Sequence, residues 1–155
     1  MKRSAGILVY KYEDNKIKVL LSHFGGPYWQ GVDKGGWSIP KGEMENVEKA
    51  IDAAKREFNE ETNLKISTNL DFLASRKVSN NKLVIMFYTN SDFDLKECKS
   101  NNFEMEFPKG SGKKCTFPEM DKYEWMDLNK AKEMIIESQL YFLDRLEENL
   151  NNLHM

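Results

Sequence analysis

The sequence contains little of several residue types on which common protein classes depend. Its two cysteines are too few for a disulfide framework, and its two histidines disfavour a multi-histidine metal site. Basic residues do not outnumber acidic ones (23 against 25), which disfavours a globally basic nucleic-acid-binding protein. The longest early apolar run, residues 5–10, ends at Lys11 and is too short for a signal peptide or a membrane span. We therefore expect a soluble, cytoplasmic protein with reduced thiols and no membrane partner.

The residues that are present are typical of a globular domain. Hydrophobic residues make up 40% of the chain and charged residues 31%. A chain of 155 residues can bury an ordinary core, and no repeat or Pro/Gly/Ser-rich linker divides it. We therefore expect a single domain over residues 1–155.

Sequence periodicity predicts a mixed set of elements. The predicted elements are strands at residues 5–10, 17–21, 72–78 and 83–89, and helical segments at residues 46–61 and 128–150. Residues 25–36 are expected to form a turn-rich loop, and residues 100–120, with prolines and glycines, an irregular segment. Strands combined with helices in mid-chain and at the end predict an α/β (α+β) sandwich.

The predicted helix over residues 46–61 carries an unusual acidic cluster. Its apolar positions form one stripe on a helical wheel: Val47, Ala50, Ile51, Ala54 and Phe58. Glu57 borders this stripe, Glu61 lies inside it, and Glu60 flanks Glu57 on the other side. Half-buried carboxylates repel one another by roughly 3 kcal/mol per pair, so they shift their pKa values upward or bind a hard cation such as Mg²⁺ or Mn²⁺. A solvated acidic helix end is the alternative, and this pattern alone leaves it open.

A spaced motif surrounds these glutamates. Gly42 is followed after five residues by Glu48, and after seven more by residues 56–64, R-E-F-N-E-E-T-N-L. This pattern resembles the Nudix box of the MutT-like hydrolases, G-x5-E-x7-R-E-U-x-E-E-x-G-U, in which U is a bulky aliphatic residue. Phe58 replaces an aliphatic residue and still supplies core packing. Asn63 replaces the last glycine, and asparagine tolerates the left-handed backbone that a helix end requires.

The resemblance implies a fold and an activity. The fold is a Nudix-type α/β/α sandwich with a mixed central sheet. The activity is metal-dependent hydrolysis of a pyrophosphate bond in a nucleoside diphosphate linked to another group. By the same resemblance, Glu57, Glu60, Glu61 and the carbonyl of Lys41 would bind Mg²⁺ or Mn²⁺.

The remaining residues of the box receive structural and catalytic roles. Gly42 permits a close backbone approach, and Arg56 and Glu48 tie the loop to the helix, with Glu48 expected in the first helical turn. Glu57 is favoured as the base that takes a proton from water, with Glu119 second.

Glu119 is the best candidate for a fourth carboxylate. In relatives that hydrolyse diadenosine polyphosphates or trim RNA 5′ ends, a glutamate lies six residues before a tryptophan, and Glu119 precedes Trp125 by that spacing. An ordinary loop glutamate is the alternative, and Glu104 and Glu106 are rivals. The spacing favours a dinucleoside polyphosphate as substrate.

The contacts to the substrate are less well defined by the sequence. Tyr28 and Trp29 can stack on a base or cap the core, and Lys82 is one of several lysines that can meet distal phosphates. Two other functions stay open: a nucleotide-sensing Nudix module without activity, and an RNA 5′-pyrophosphohydrolase, which the near-neutral charge disfavours. The expected partner is thus a small nucleotide rather than a nucleic acid.

Overall fold

The computed structural model describes residues 1–153, so the last two residues of the expected domain, 154 and 155, lie outside it. The strands are β1 (Lys2–Glu13), β2 (Lys16–Phe24), β3 (Trp37–Ser38), β4 (Lys41–Glu43), β5 (Asp71–Ser79), β6 (Lys82–Asn90), β7 (Asn102–Glu106), β8 (Lys114–Pro118) and β9 (Met120–Asp127). The helices are α1 (Ala50–Thr62), α2 (Leu128–Met134) and α3 (Leu140–Leu153), with short 3-10 turns at Leu95–Glu97 and Glu137–Gln139.

Strand β1 organises the main sheet. It pairs in parallel with β6 and antiparallel with both β2 and β4, which occupy successive parts of its other edge. Beyond β6 the sheet continues to β5, and beyond β2 it continues to β3 and β9. The sheet is therefore mixed.

The sheet is covered on both faces. Successive side chains along its buried strands point to opposite faces, so each face carries its own apolar set. One set of buried residues packs against α1: Ala5, Ile7, Val9 and Leu20 on the strands, with Ala53, Ala54 and Phe58 on the helix. The other set packs against α2 and α3: Leu8, Val19 and Leu21 on the strands, with Phe142, Leu143 and Leu146 on α3. This arrangement confirms the predicted α/β/α sandwich with a mixed central sheet.

The prediction for the mid-chain helix was wrong at its start. Helix α1 begins at Ala50, so Val47 is outside it and is 98% exposed instead of facing the core. Glu48 also precedes the helix, because its side chain accepts from the backbone N–H of Glu45 and pairs with Arg56. The helix ends as predicted, with Asn63 in the left-handed conformation at a φ of 63°.

Two further segments differ from the sequence-based expectation. Residues 100–120 are not irregular throughout, because β7 and β8 form an antiparallel hairpin. The C-terminal helical segment is interrupted at Ile135, whose extended backbone pairs with Trp37 in β3. Among residues 1–153, no helix combines the length and apolar character needed to cross a bilayer.

Candidate active site

Four glutamates meet at the C-terminal end of α1. Glu57, Glu60 and Glu61 lie on the helix, and Glu119 lies in the link between β8 and β9. Asn101 joins the two segments through its backbone: its N–H donates to the carbonyl of Glu60 (3.0 Å), and its carbonyl accepts from the N–H of Glu119 (2.9 Å). The structure therefore brings Glu119 to the acidic cluster.

The rival glutamates lie elsewhere on the molecule. Glu104 and Glu106 are exposed on β7, and the Glu106 carboxylate accepts from the backbone N–H of Gly110 at the tip of the hairpin. Of the three candidates for the fourth carboxylate, the geometry favours Glu119.

The backbone of Lys41 and Gly42 forms one wall of the cluster. Glu61 Oε2 accepts from the Lys41 N–H (3.2 Å). A Cβ atom added to Gly42 would lie 1.9 Å from Glu57 Oε2, so only glycine leaves room for this carboxylate. Both Glu57 and Glu61 thus contact the peptide segment whose carbonyl the motif implicates in metal binding.

Arg56 connects the loop before α1 to the helix. Its Nε and Nη2 donate to the two carboxylate oxygens of Glu48 at 2.8 and 2.9 Å, and Nη2 also donates to the Glu43 carbonyl. The Arg56 guanidinium lowers the pKa of Glu48 to about 2. Nη1 reaches Glu57 Oε1 at 2.8 Å and Glu60 at 3.4 Å.

Glu61 is the most perturbed acid of the site. It is 7% exposed, and its burial, with the charges of Glu119 and Glu57 adding to it, raises its pKa to about 8. Burial also raises the pKa values of Glu57 and Glu119, with the charge of Glu60 as a further cause for each. Ionisation of these carboxyl groups is therefore disfavoured beside the protein core.

Two lysines lie close together next to these carboxylates. Burial lowers the pKa of Lys41, and the positive charge of Lys82 lowers it further. The Lys41 ammonium also interacts with Glu61 and Glu57, which act in the opposite direction on its pKa. The structure thus puts Lys82 beside Lys41, within the electrostatic reach of the site.

The donor set fits a hard divalent cation. Every candidate ligand is an oxygen, from a carboxylate or from the Lys41 carbonyl, and such ligands suit Mg²⁺ or Mn²⁺. Glu57 shares only Oε1 with Arg56, which leaves Oε2 beside Gly42. Within residues 1–153 no three His, Cys, Asp or Glu side chains already converge as a metal centre, so binding requires side chains such as that of Glu60 to turn inward.

Sequence analysis missed two residues that support the loops around the site. Gln139 is buried; its side chain accepts from the Ile39 N–H (2.7 Å) and donates to Ser38 Oγ (2.9 Å), which fixes the strand leading to Lys41. His23 contacts Asp121 Oδ1 through Nδ1 (2.7 Å) and the Val32 carbonyl through Nε2 (2.5 Å). His23 is marked only as a polar residue near the end of a mostly apolar strand, and no local pattern marks Gln139.

The loop that carries the aromatics Tyr28 and Trp29 begins beside Glu119. The N–H of Gly25, at the start of their loop, donates to the Glu119 carbonyl (2.8 Å). Trp29 packs its ring against Phe24, with 4.7 Å between centroids, whereas Tyr28 is 60% exposed. Trp29 thus has a packing role, and the Tyr28 ring is accessible to a ligand.

Comparison with solved structures finds the same fold at low sequence identity. The chain is similar to an Ap4A hydrolase of C. elegans in a binary complex, with a TM-score of 0.66, 18% identity, and coverage of 98% of this chain and 99% of that chain. It is similar to the NUDIX domain of Shewanella oneidensis NrtR complexed with ADP ribose (TM-score 0.66, 14% identity, coverage 96% and 87%). A mutT/nudix family protein from Listeria innocua gives a TM-score of 0.67 at 16% identity, with coverage of 99% and 96%.

Sequence comparisons bear on the family directly. A search of curated protein sequences gives no significant match. The family model of the NUDIX domain, in contrast, matches residues 2–146. This range includes the Lys41–Gly42 segment, helix α1 and the link that carries Glu119. The chain therefore belongs to the Nudix family, as the motif predicted.

Proposed function

We propose that this chain cleaves a pyrophosphate bond in a nucleoside diphosphate linked to another group, with dinucleoside polyphosphates as the favoured substrates and Mg²⁺ or Mn²⁺ as the cofactor. The observation that carries the proposal is the position of Glu57 and Glu61 against the Lys41–Gly42 backbone, with the segments of Glu60 and Glu119 linked through Asn101. Buried or crowded carboxylates of this kind favour a cation and, through it, a polyphosphate.

Glu57, Glu60, Glu61 and the Lys41 carbonyl would hold the cation. When bound, it would supply positive charge to the phosphate oxygens and activate water for attack. Arg56 keeps Glu57 in place through Oε1 while Oε2 faces Gly42. The Lys41 and Lys82 ammonium groups supply further positive charge for phosphates that extend beyond the cluster.

The base that accepts the proton of water is proposed to be Glu119 rather than Glu57. The motif favoured Glu57, but Glu57 Oε1 accepts from Arg56 and Oε2 lies against Gly42, so this carboxylate is fixed in place among the proposed metal ligands. Glu119 is exposed to solvent and is held only through its backbone, by Asn101 and Gly25. Its carboxylate can therefore turn toward a water molecule next to the cluster.

The preference for a dinucleoside polyphosphate rests on two supports. Glu119 lies six residues before Trp125, which is the spacing of the relatives that hydrolyse diadenosine polyphosphates or trim RNA 5′ ends, and the near-neutral charge disfavours RNA. The C. elegans Ap4A hydrolase also shares the fold along almost the whole of both chains.

A panel of nucleoside-diphosphate compounds, including dinucleoside polyphosphates, nucleoside triphosphates and ADP-ribose, tests this proposal. The protein is assayed with Mg²⁺ or Mn²⁺, and the products are identified by mass. We expect release of a nucleoside monophosphate, and its loss in Glu60→Gln with the far-UV circular dichroism spectrum unchanged. Equal turnover in excess chelator would reject the proposal.

A nucleotide-sensing module is the second candidate. The NrtR domain, which was crystallised with ADP ribose, has the same fold and favours this alternative. The complete set of box glutamates speaks against it, because a pure sensor does not need them. Tight ADP-ribose binding with no turnover of any compound in the panel would support the sensor.

A further inference from the structure

The β7–β8 hairpin and the loop after β2 enclose a cavity beside Glu119. The cavity measures about 300 Å³ and is lined by the backbone of residues 25–27 and by the side chains of Tyr28, Trp29, Phe103 and Met105. We propose that this pocket binds a nucleobase of the substrate, between the aromatic loop and the hairpin. The inference builds on the proposed function, and it names the group that the hairpin would recognise.

The hairpin presents an apolar face to this cavity. In the β7–β8 register Phe103 lies opposite Phe117, and Met105 lies opposite Cys115. These residues share one face because side chains alternate along a strand, and the intervening Glu104 is exposed on the other face. The half-buried residues of the hairpin thus line a ligand-sized cavity in addition to packing against each other.

Two glycines bring the walls of the pocket close to the active site. A Cβ atom on Gly26 would lie 2.9 Å from Cζ of Phe103, and Gly26 has a φ of +93°. A Cβ atom on Gly25 would lie 2.0 Å from the Pro118 carbonyl, and the Gly25 N–H donates to the Glu119 carbonyl. The loop that forms one wall of the pocket is therefore joined by a backbone hydrogen bond to the segment that carries the proposed base.

The lining selects a flat, uncharged ring. It contains three aromatic rings, a thioether and no charged side chain. Nucleobases stack on aromatic side chains, and methionine sulfur makes favourable contacts with rings. A cavity of about 300 Å³ is at the small end of ligand pockets, which suits a single ring system better than a peptide or lipid. The 60% exposed ring of Tyr28 is available to cover such a group.

A cavity of similar volume elsewhere makes a useful contrast. It is lined by Lys16, Asp127, Lys130 and Glu147 among others, on the side of α2 and α3. Its charged lining does not match a neutral ring. Size alone therefore does not single out the proposed pocket; its lining and its contact with Glu119 do.

The test measures binding of adenosine and of ribose to the metal-free protein by NMR titration, which needs no turnover. We expect the wild type to bind adenosine and to bind ribose at least about tenfold more weakly. Tyr28→Ala and Met105→Ala should each weaken adenosine binding on the order of tenfold, and Tyr28→Phe should keep it. Phe72→Ala, which removes an exposed phenylalanine on β5, is the matched control and should change nothing.

The outcomes separate this inference from the proposed function. Equal binding of adenosine and ribose by the wild type, or unchanged adenosine binding in both alanine variants, would overturn the pocket whatever the turnover. Selective adenosine binding in a protein that hydrolyses no compound of the panel would leave the pocket standing and reject the enzymatic proposal. Because Tyr28 is exposed, its variant tests the pocket even if Met105→Ala perturbs the hairpin.

Discussion

The two faces of the central sheet are packed in different ways. The face covered by α2 and α3 buries a continuous apolar layer that extends along α3 to Leu150. The face covered by α1 has a smaller apolar cluster around Phe58, and toward the end of the helix the buried residues become polar, with Glu61 and Thr62. One face thus resembles an ordinary core, whereas the other places charge against the sheet.

This difference indicates how the fold tolerates its active site. Burying a carboxylate without a cation is costly, and the cost must be offset by apolar burial elsewhere in the domain. The α2 and α3 layer supplies that burial. Its neighbouring residues Gln139 and Ile136 also contact the segment that leads to Lys41: the Gln139 side chain accepts from the Ile39 N–H, and the Ile136 N–H donates to the Trp37 carbonyl (2.8 Å). The residues that stabilise the fold and the residues of the site therefore lie mainly on different faces of the sheet, and the two groups are in contact near residues 37–39.

Glu119→Gln should produce the largest effect, and it should act on activity alone. If Glu119 accepts the proton of water, its removal lowers kcat by on the order of 10²–10⁴-fold. Because the residue is exposed, the unfolding midpoint in urea should stay close to that of the wild type. Steady-state kinetics with Mg²⁺ measure the first quantity. Glu104→Gln, an exposed neighbour on β7, is the control and should retain full activity.

Leu146→Ala should lower the stability of the protein and leave its activity unchanged, the reverse of Glu119→Gln. Leu146 is fully buried in the α3 layer, and truncating such a leucine costs about 2–5 kcal/mol of unfolding free energy because a cavity remains. The kcat per folded molecule should not change, since no site residue is contacted by this layer except through the loop. Urea denaturation and kinetics at low temperature check both quantities, and Asn151→Ala, exposed on the same helix, is the control. A loss of kcat in the folded protein would contradict the separation of the two faces.

Glu61→Gln should stabilise the metal-free protein and abolish its response to the cation. The pKa of Glu61 is about 8 in the folded protein against 4.5 in the unfolded chain, so between these values the folded state keeps a proton that the unfolded chain releases. The wild type should therefore lose stability as pH rises from about 4.5 to about 8, by on the order of 5 kcal/mol.

The glutamine variant, with no charge to bury, should lack this slope in chelator. Thermal unfolding at pH 6 and at pH 8.5 measures the difference between the two proteins. Added Mg²⁺ should raise the melting temperature of the wild type and leave that of the variant unchanged. A wild type with the same pH dependence as the variant would contradict the buried charge.

The sequence predicted the acidic end of α1 well because its contacts are local. Spacings of three and four along one helix put Glu57, Glu60 and Glu61 together, and the wheel put Glu61 in the core. The same pattern overextended the helix, since periodicity does not reveal that Glu48 leaves the helix to pair with Arg56.

The parts that sequence analysis missed depend on distant contacts. The hairpin of β7 and β8 consists of short alternating segments separated by proline and glycine, which by themselves resemble a loop. The site contact of Gln139 joins residues 100 positions apart, and no local pattern predicts such a pairing. Asn101, which links Glu60 to Glu119, acts through its backbone and therefore leaves no trace in its residue type.

Gln139→Ala tests one of the connections between the α2 and α3 layer and the strand that leads to Lys41, and its effect should be the smallest in energy. The substitution leaves the buried N–H of Ile39 without an acceptor, and it also removes the donor to Ser38, which costs about 1–3 kcal/mol. Because Ile39 lies two residues before Lys41, the loop should lose its fixed position against Glu61, and KM should rise while kcat changes less. Urea denaturation and steady-state kinetics measure these effects, with the exposed neighbour Ser138→Ala as the control. If stability falls by the expected amount and KM does not change, Gln139 stabilises the fold without positioning the Lys41 backbone for substrate binding.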